Sequence, residues 1–106
     1  MTTKIRLGFL THLEGAGDPR RIYQETLELF VASEQLGFDV AWVAQHHFKQ
    51  VAGRLPSPLP FLAAAAQRTQ RLRLGTALVI LPLEEPLRLA EDAAVVDALS
   101  NGRLEL

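Results

Sequence analysis

The sequence predicts an α/β fold on a parallel sheet, with elements in the order β-α-β-α-β-α-β. Three observations carry that reading. Apolar runs without polar alternation lie at Asp39 to Ala44 and Leu72 to Leu81, as expected of strands covered on both faces. Between the strands lie stretches with helical spacing and local start and stop signals. Gly and Pro punctuate the junctions. Helical crossovers between successive strands imply parallel pairing with right-handed connections.

The first strand is read at Ile5 to Thr11, followed by a loop containing Gly15 and Gly17. Asp18-Pro19 is a helix start: Asp supplies an N-cap oxygen, and Pro occupies the first turn, where a missing N–H does no harm. Ile22, Leu29, Phe30 and Leu36 recur at helical spacing, and Gly37 stands where a left-handed cap is expected. Asp39 to Ala44 is the second strand. Gly53, Pro56, Pro58 and Pro60 mark the next loop, and Ser57 is placed to cap a helix from Pro58 to about Gln70. The small side chains of Ala63 to Ala66 let that helix lie close to a sheet. Leu72 to Leu81 is the third strand. Pro82 and Pro86 bracket a turn, and a third helix runs from Pro86 to about Leu99. Ser100-Asn101-Gly102 ends it, and Arg103 to Leu106 begins a fourth strand.

Composition narrows the function. With 106 residues, 48% apolar and 22% charged, the chain has the make-up of one soluble globular domain. A formal charge of -1 gives no electrostatic case for nucleic acid or an anionic membrane surface. No apolar run approaches the ~20 residues of a membrane span, and no signal-peptide core follows the amino terminus. Without cysteine there is no disulfide, thiolate metal site or Cys nucleophile. No metal is expected, and the expected location is cytoplasmic.

Two architectures accommodate the element order. One is an open doubly wound sheet, although Gly15-Ala16-Gly17-Asp18 is not the usual Gly-x-Gly-x-x-Gly phosphate loop. The other is half of a (β/α)8 barrel, leaving two sheet edges and an apolar face that invite association. In either, chemistry gathers at the carboxyl ends of the strands. The second strand ends in Gln45-His46-His47, and imidazole is the side chain suited to proton transfer near neutral pH. His12 lies on the same face but reads as an ordinary loop residue. Trp42 reads as core. Arg71 and Arg73 read as a solvated rim, and Asp97 as paired with Arg103 or a backbone N–H.

Several motifs occur together and in order: Leu36-Gly37-Phe38-Asp39, Trp42-Val43-Ala44-Gln45-His46-His47-Phe48, Pro56-Ser57-Pro58, Arg71-Leu72-Arg73-Leu74-Gly75-Thr76-Ala77, Leu81-Pro82, Glu85-Pro86-Leu87-Arg88 and Asp97-Ala98-Leu99-Ser100-Asn101-Gly102-Arg103. The set resembles the bacterial luciferase-like, flavin-dependent monooxygenases, and it covers nearly all of the chain. The resemblance implies a truncated (β/α)8 barrel, with residues 1–106 as the amino-terminal part of such a domain. It further implies reduced FMN, or deazaflavin F420 as the alternative, with O2 and a small organic substrate as partners.

By this resemblance His46 is the catalytic candidate, transferring a proton near the flavin. His47 and Gln45 would support it, and Leu10, Ala77 and Leu78 would form a wall against the flavin ring. A non-proline cis peptide is implied between Ala77 and Leu78. Two residues depart from the family pattern: Gln45 stands where Glu is common, and Glu85 where His is common, in a loop expected near the substrate side. A reading of a different class is a non-catalytic half-barrel that self-associates or docks to a partner chain.

Overall fold

A computed structural model describes residues 3–106. In chain order the elements are β1 (Gly8–Thr11), α1 (Pro19–Gln35), β2 (Val40–Val43), α2 (Pro58–Arg68), β3 (Arg73–Thr76), a 3-10 turn (Leu81–Leu83), α3 (Pro86–Leu99) and β4 (Leu104–Glu105). The strands form one parallel sheet in the order β1-β2-β3-β4. Gly8 pairs with Val40, Val40 with Arg73, and Leu74 with Leu104. Sequential order with right-handed crossovers sets every helix on the same face, whereas a doubly wound sheet reverses its order and has helices on both. The fold is therefore α/β, arranged as half of a (β/α)8 barrel.

Local chemistry sets the helix ends. Asp18 accepts the Arg20 N–H at 2.9 Å and caps α1. At the other end Gly37, at φ 91°, lets its own N–H reach Glu34 O (3.1 Å) and the Phe38 N–H reach Ser33 O (3.0 Å). These two bonds close a Schellman cap. α3 ends in the same way around Asn101, φ 60°, with the Gly102 N–H donating to Asp97 O at 2.8 Å. One cap expectation changes, and one cap is found that was not expected. The Ser57 side chain makes no cap bond to α2. Glu85, expected in a loop on the substrate side, caps α3 by accepting the Arg88 N–H at 2.7 Å.

The strands are shorter than their apolar runs. β1 begins at Gly8, because the Leu7 N–H is taken by the Asp39 carboxylate at 2.8 Å and not by a backbone ladder. β3 stops at Thr76, and beyond it the Ile80 N–H is taken by the Gln45 side chain at 2.8 Å. Burial also alternates along β2: Ala41 and Val43 are buried under the helices, while Val40 and Trp42 on the other face are only half-buried. The expectation of strands covered on both faces is thus replaced by one packed face and one open face.

The core lies between sheet and helices. Phe30 of α1 meets Phe9 and Phe61 edge-on at 5.7 and 5.6 Å, a favoured aromatic geometry. Leu62 and Ala65 of α2 face Leu72, Leu74 and Ala41, all fully or almost fully buried. Arg103 is buried among them. Its guanidinium donates to Ala66 O, Thr69 O, Thr69 Oγ1 and Leu72 O, and so fastens the end of α2 to β3. Asp97 uses the backbone alternative and accepts the Leu104 N–H at 3.2 Å.

Candidate functional site

The loops that leave β1 and β2 meet at the carboxyl end of the sheet. His12 directly follows β1 and His46 follows β2 after two residues. Nδ1 of His12 lies 2.9 Å from Nε2 of His46, with ring centroids 5.2 Å apart. Both rings are half-buried. His12 is thus no ordinary loop residue, because the structure places it against His46.

A single segment, Val51 to Leu55, holds both histidines. The His46 N–H donates to Leu55 O at 2.9 Å, and the Arg54 N–H donates to His12 O at 3.2 Å and Leu13 O at 3.1 Å. The Arg54 guanidinium donates to Gly15 O, Gly17 O and Gln50 O, lacing the two loops together. Gly53, at φ 72°, lies under the His46 ring; a Cβ there would come within 2.5 Å of the His46 Cγ. Leu13 is fully buried with φ 53°. A left-handed conformation is costly for a leucine and persists only where neighbours enforce it. Here its N–H donates to Thr11 Oγ1 at 3.1 Å while its carbonyl accepts from Arg54.

Gln45 is 2% exposed, yet every polar atom of its side chain is engaged. Oε1 accepts the Ile80 N–H at 2.8 Å. Nε2 lies 2.8 Å from Nε2 of His47 and donates to Glu84 Oε1 at 3.2 Å. Gln45 and His47 therefore tie the loop after β2 to the segment after β3. An amide can do this beside a carboxylate without charge repulsion, which gives Gln45 a physical role where the family commonly has Glu.

On the open face Leu10, Trp42 and Gly75 are in register across three strands. The Trp42 indole covers Gly75 so closely that no Cβ fits between them. Trp42, read as core, thus belongs to the open face and is half-buried. The ladder continues to Ala77, whose N–H donates to Val43 O at 2.7 Å, and the Ala77–Leu78 peptide is cis. Leu10 is 48% and Leu78 58% exposed. Leu10, Ala77 and Leu78 make an apolar shelf at the carboxyl end, while Trp42 lies over the buried Gly75 and lines a cleft with Arg6, Arg71, Arg73 and Glu105. A phosphate finds less here, because three of the five Arg54 guanidinium donors go to carbonyls. Among the described residues no group of His, Cys, Asp and Glu is placed to hold a metal ion. Nor, among them, is any helix long and apolar enough to cross a membrane.

Of the residues expected at the site, Leu10, Gln45, His46, His47, Ala77 and Leu78 all lie at this end of the sheet. His12 and Glu84 are additions. Both contact partners more than thirty residues away, and the one local hint was that His12, like His46, closely follows a strand.

Residues 4–106 match the model of the luciferase-like monooxygenases. A Sinorhizobium fredii protein, y4wF, itself uncharacterized, is 42% identical over the whole chain, which covers 31% of that protein. The oxygenase component of a flavin-dependent trigonelline monooxygenase from Acinetobacter baylyi is 32% identical over 96% of the chain and 29% of its own length. Among solved structures, the monooxygenase RslO1 of Streptomyces bottropensis superposes with a TM-score of 0.88 at 34% identity, over 96% of this chain and 32% of that one. The chain thus spans about a third of the length of these proteins.

Proposed function

Because the chain belongs to the luciferase-like monooxygenase family, we propose that it is the amino-terminal, histidine-bearing part of a flavin-dependent monooxygenase domain. In this reading reduced FMN supplies the oxygen chemistry, with O2 and a small organic molecule as co-substrates. Leu10, Ala77 and Leu78 receive the flat ring and shield one face from water. His46 takes or gives a proton at the edge of that shelf. Gln45 and His47 hold the loop that presents it. Imidazole suits this work because its two nitrogens can donate and accept at once.

The observation that carries the reading is the position of His46. It stands at the carboxyl end of the sheet two residues after β2, with its ring seated on Gly53 and against the His12 ring that follows β1. The test is a fluorescence titration of FMN with the purified chain. Saturable quenching supports the proposal, and none up to high micromolar FMN overturns it for this chain. A parallel titration with F420 distinguishes the two flavin classes.

A second reading, a non-catalytic half-barrel that associates, is favoured by one observation. Among the described residues β1 and β4 are each paired on one side only, with Leu10 exposed beside the first. Association without flavin binding selects this reading.

A further inference from the structure

We infer that His12 and His46 act as one proton-relaying unit, in which His12 positions His46 and carries its proton onward. The inference rests on the proposed role of His46 as the proton-handling group. Three observations carry it. The ring nitrogens are 2.9 Å apart, so Nε2 of His46 and Nδ1 of His12 share a hydrogen bond and not merely a packing contact. The Val51 to Leu55 segment binds the backbone of both residues, so their spacing is set by one clamp. The outer nitrogens, Nδ1 of His46 and Nε2 of His12, have no hydrogen-bond partner among the described residues. His12 also borders an open cleft of about 440 Å3 with Leu10, Glu14, Glu25 and Leu29.

The proton count follows from the geometry. With both rings neutral, one proton lies in the contact and one sits on an outer nitrogen. In one arrangement His46 carries its proton on Nε2 and donates it to Nδ1 of His12, whose own proton is on Nε2. The lone pair on Nδ1 of His46 is then free. When that atom takes a proton from a bound molecule, the Nε2 proton of His46 crosses to Nδ1 of His12. The Nε2 proton of His12 leaves to water in the cleft. One proton has entered and one has departed, no charge remains, and both rings have exchanged tautomers. Run backwards, the same steps deliver a proton through His46. A single imidazole would have to hold the charge until it reached water by another route.

The test is nitrogen-15 NMR of the full chain labelled at histidine, at a pH on the plateau where further base no longer moves the ring nitrogen shifts, so that both rings are neutral. The expected result is a nitrogen–nitrogen coupling across the hydrogen bond between Nε2 of His46 and Nδ1 of His12. All four ring nitrogens should also resonate between the protonated and bare extremes, displaced by equal fractions because the rings switch together. Absence of the coupling, or each ring fixed in one tautomer, overturns the relay. His12→Phe should abolish the coupling. His12→Asn, which keeps a hydrogen-bond partner near the Nδ1 position but cannot pass a proton, should remove the matched displacement. The measurement on the unaltered chain decides the matter even if a variant does not fold. FMN quenching separates the two proposals: quenching with fixed tautomers removes the relay alone, and coupled, switching rings without quenching remove the flavin role alone.

Discussion

Gly53 and Gln45 hold the histidine loop by opposite means, one by lacking a side chain and one by filling its space. Gly53→Ala would set a methyl group within 2.5 Å of the His46 ring in a left-handed backbone. We expect it to cost about 1–3 kcal/mol of stability and to break the contact between the His12 and His46 rings. Urea denaturation and the ring-to-ring nuclear Overhauser effect check the two effects separately. Gln45→Glu restores the residue common in the family but puts a buried carboxylate where the amide now lies 3.2 Å from Glu84 Oε1. Like charges that close raise the pKa of one partner. The variant should therefore be less stable than the parent at neutral pH and regain stability on mild acidification, when one carboxyl takes a proton. Equal stability at neutral pH would remove the pairing argument. The site was legible in sequence to the extent that it is local. Gln45, His46 and His47 follow a strand whose end could be read. The contacts of His12 with His46 and of Gln45 with Glu84 span 34 and 39 residues, and only the sheet brings them together.

Helices were more legible than strands, because helix ends are written in neighbouring residues. The third helix is found over the predicted Pro86 to Leu99, and the first starts at Pro19 as its Asp-Pro signal requires. An apolar run, in contrast, reports burial and not pairing, so it could not show that the side chains of Asp39 and Gln45 would take backbone N–H groups at the strand ends. Two further ties between elements could not be foreseen. Glu34, at the end of α1, accepts the N–H groups of Gln70, Arg71 and Leu72, and so docks α1 to the start of β3. Burial alone would raise its pKa, but these bonds and the Arg71 charge outweigh it and leave the pKa lowered. A folded-state pKa below the unfolded one means the stabilisation is complete at neutral pH and is lost as pH falls through the lowered value. Denaturation midpoints across acid pH should therefore converge for the parent and Glu34→Gln, with the parent more stable only at higher pH. Arg103 makes the matching tie at the end of α2. Arg103→Met leaves four carbonyls, those of Ala66, Thr69, Leu72 and Ser100, and the Thr69 hydroxyl without this donor. At about 1–3 kcal/mol for each group left wholly unpaired, a loss of at least 3 kcal/mol is expected after partial rehydration. Urea titration at neutral pH measures it.

The molecule exposes more surface than its mass requires. A folded chain of 11.7 kDa has an accessible area of roughly 5,900 Å2 by the usual scaling, and this chain has 6845 Å2. Its radius of gyration is 13.9 Å, against about 13 Å for a chain of this length. The excess of roughly a thousand Å2 is comparable to the ~800 Å2 that each partner contributes to a standard interface. Part of it is apolar, since Leu10 of β1 and Leu29 of α1 are each 48% exposed, and they border one cleft, lined also by Glu14 and Glu25, at an edge of the sheet. Covering such an edge removes both the apolar exposure and the unsatisfied ladder groups. A second copy carries β4 as a complementary free edge, and two sets of four parallel strands make the eight of a closed barrel. Sedimentation across the micromolar range should accordingly show reversible association of the chain. Leu10→Lys combined with Leu29→Lys should shift it toward the monomer by at least tenfold in dissociation constant, because two desolvated ammonium groups oppose the contact. The same variant leaves the contacts of α2 and α3 untouched, so its thermal unfolding should change little when measured at a concentration where both proteins are monomeric. A parent chain that sediments as a monomer at every concentration would show that this edge is covered by nothing of its own kind.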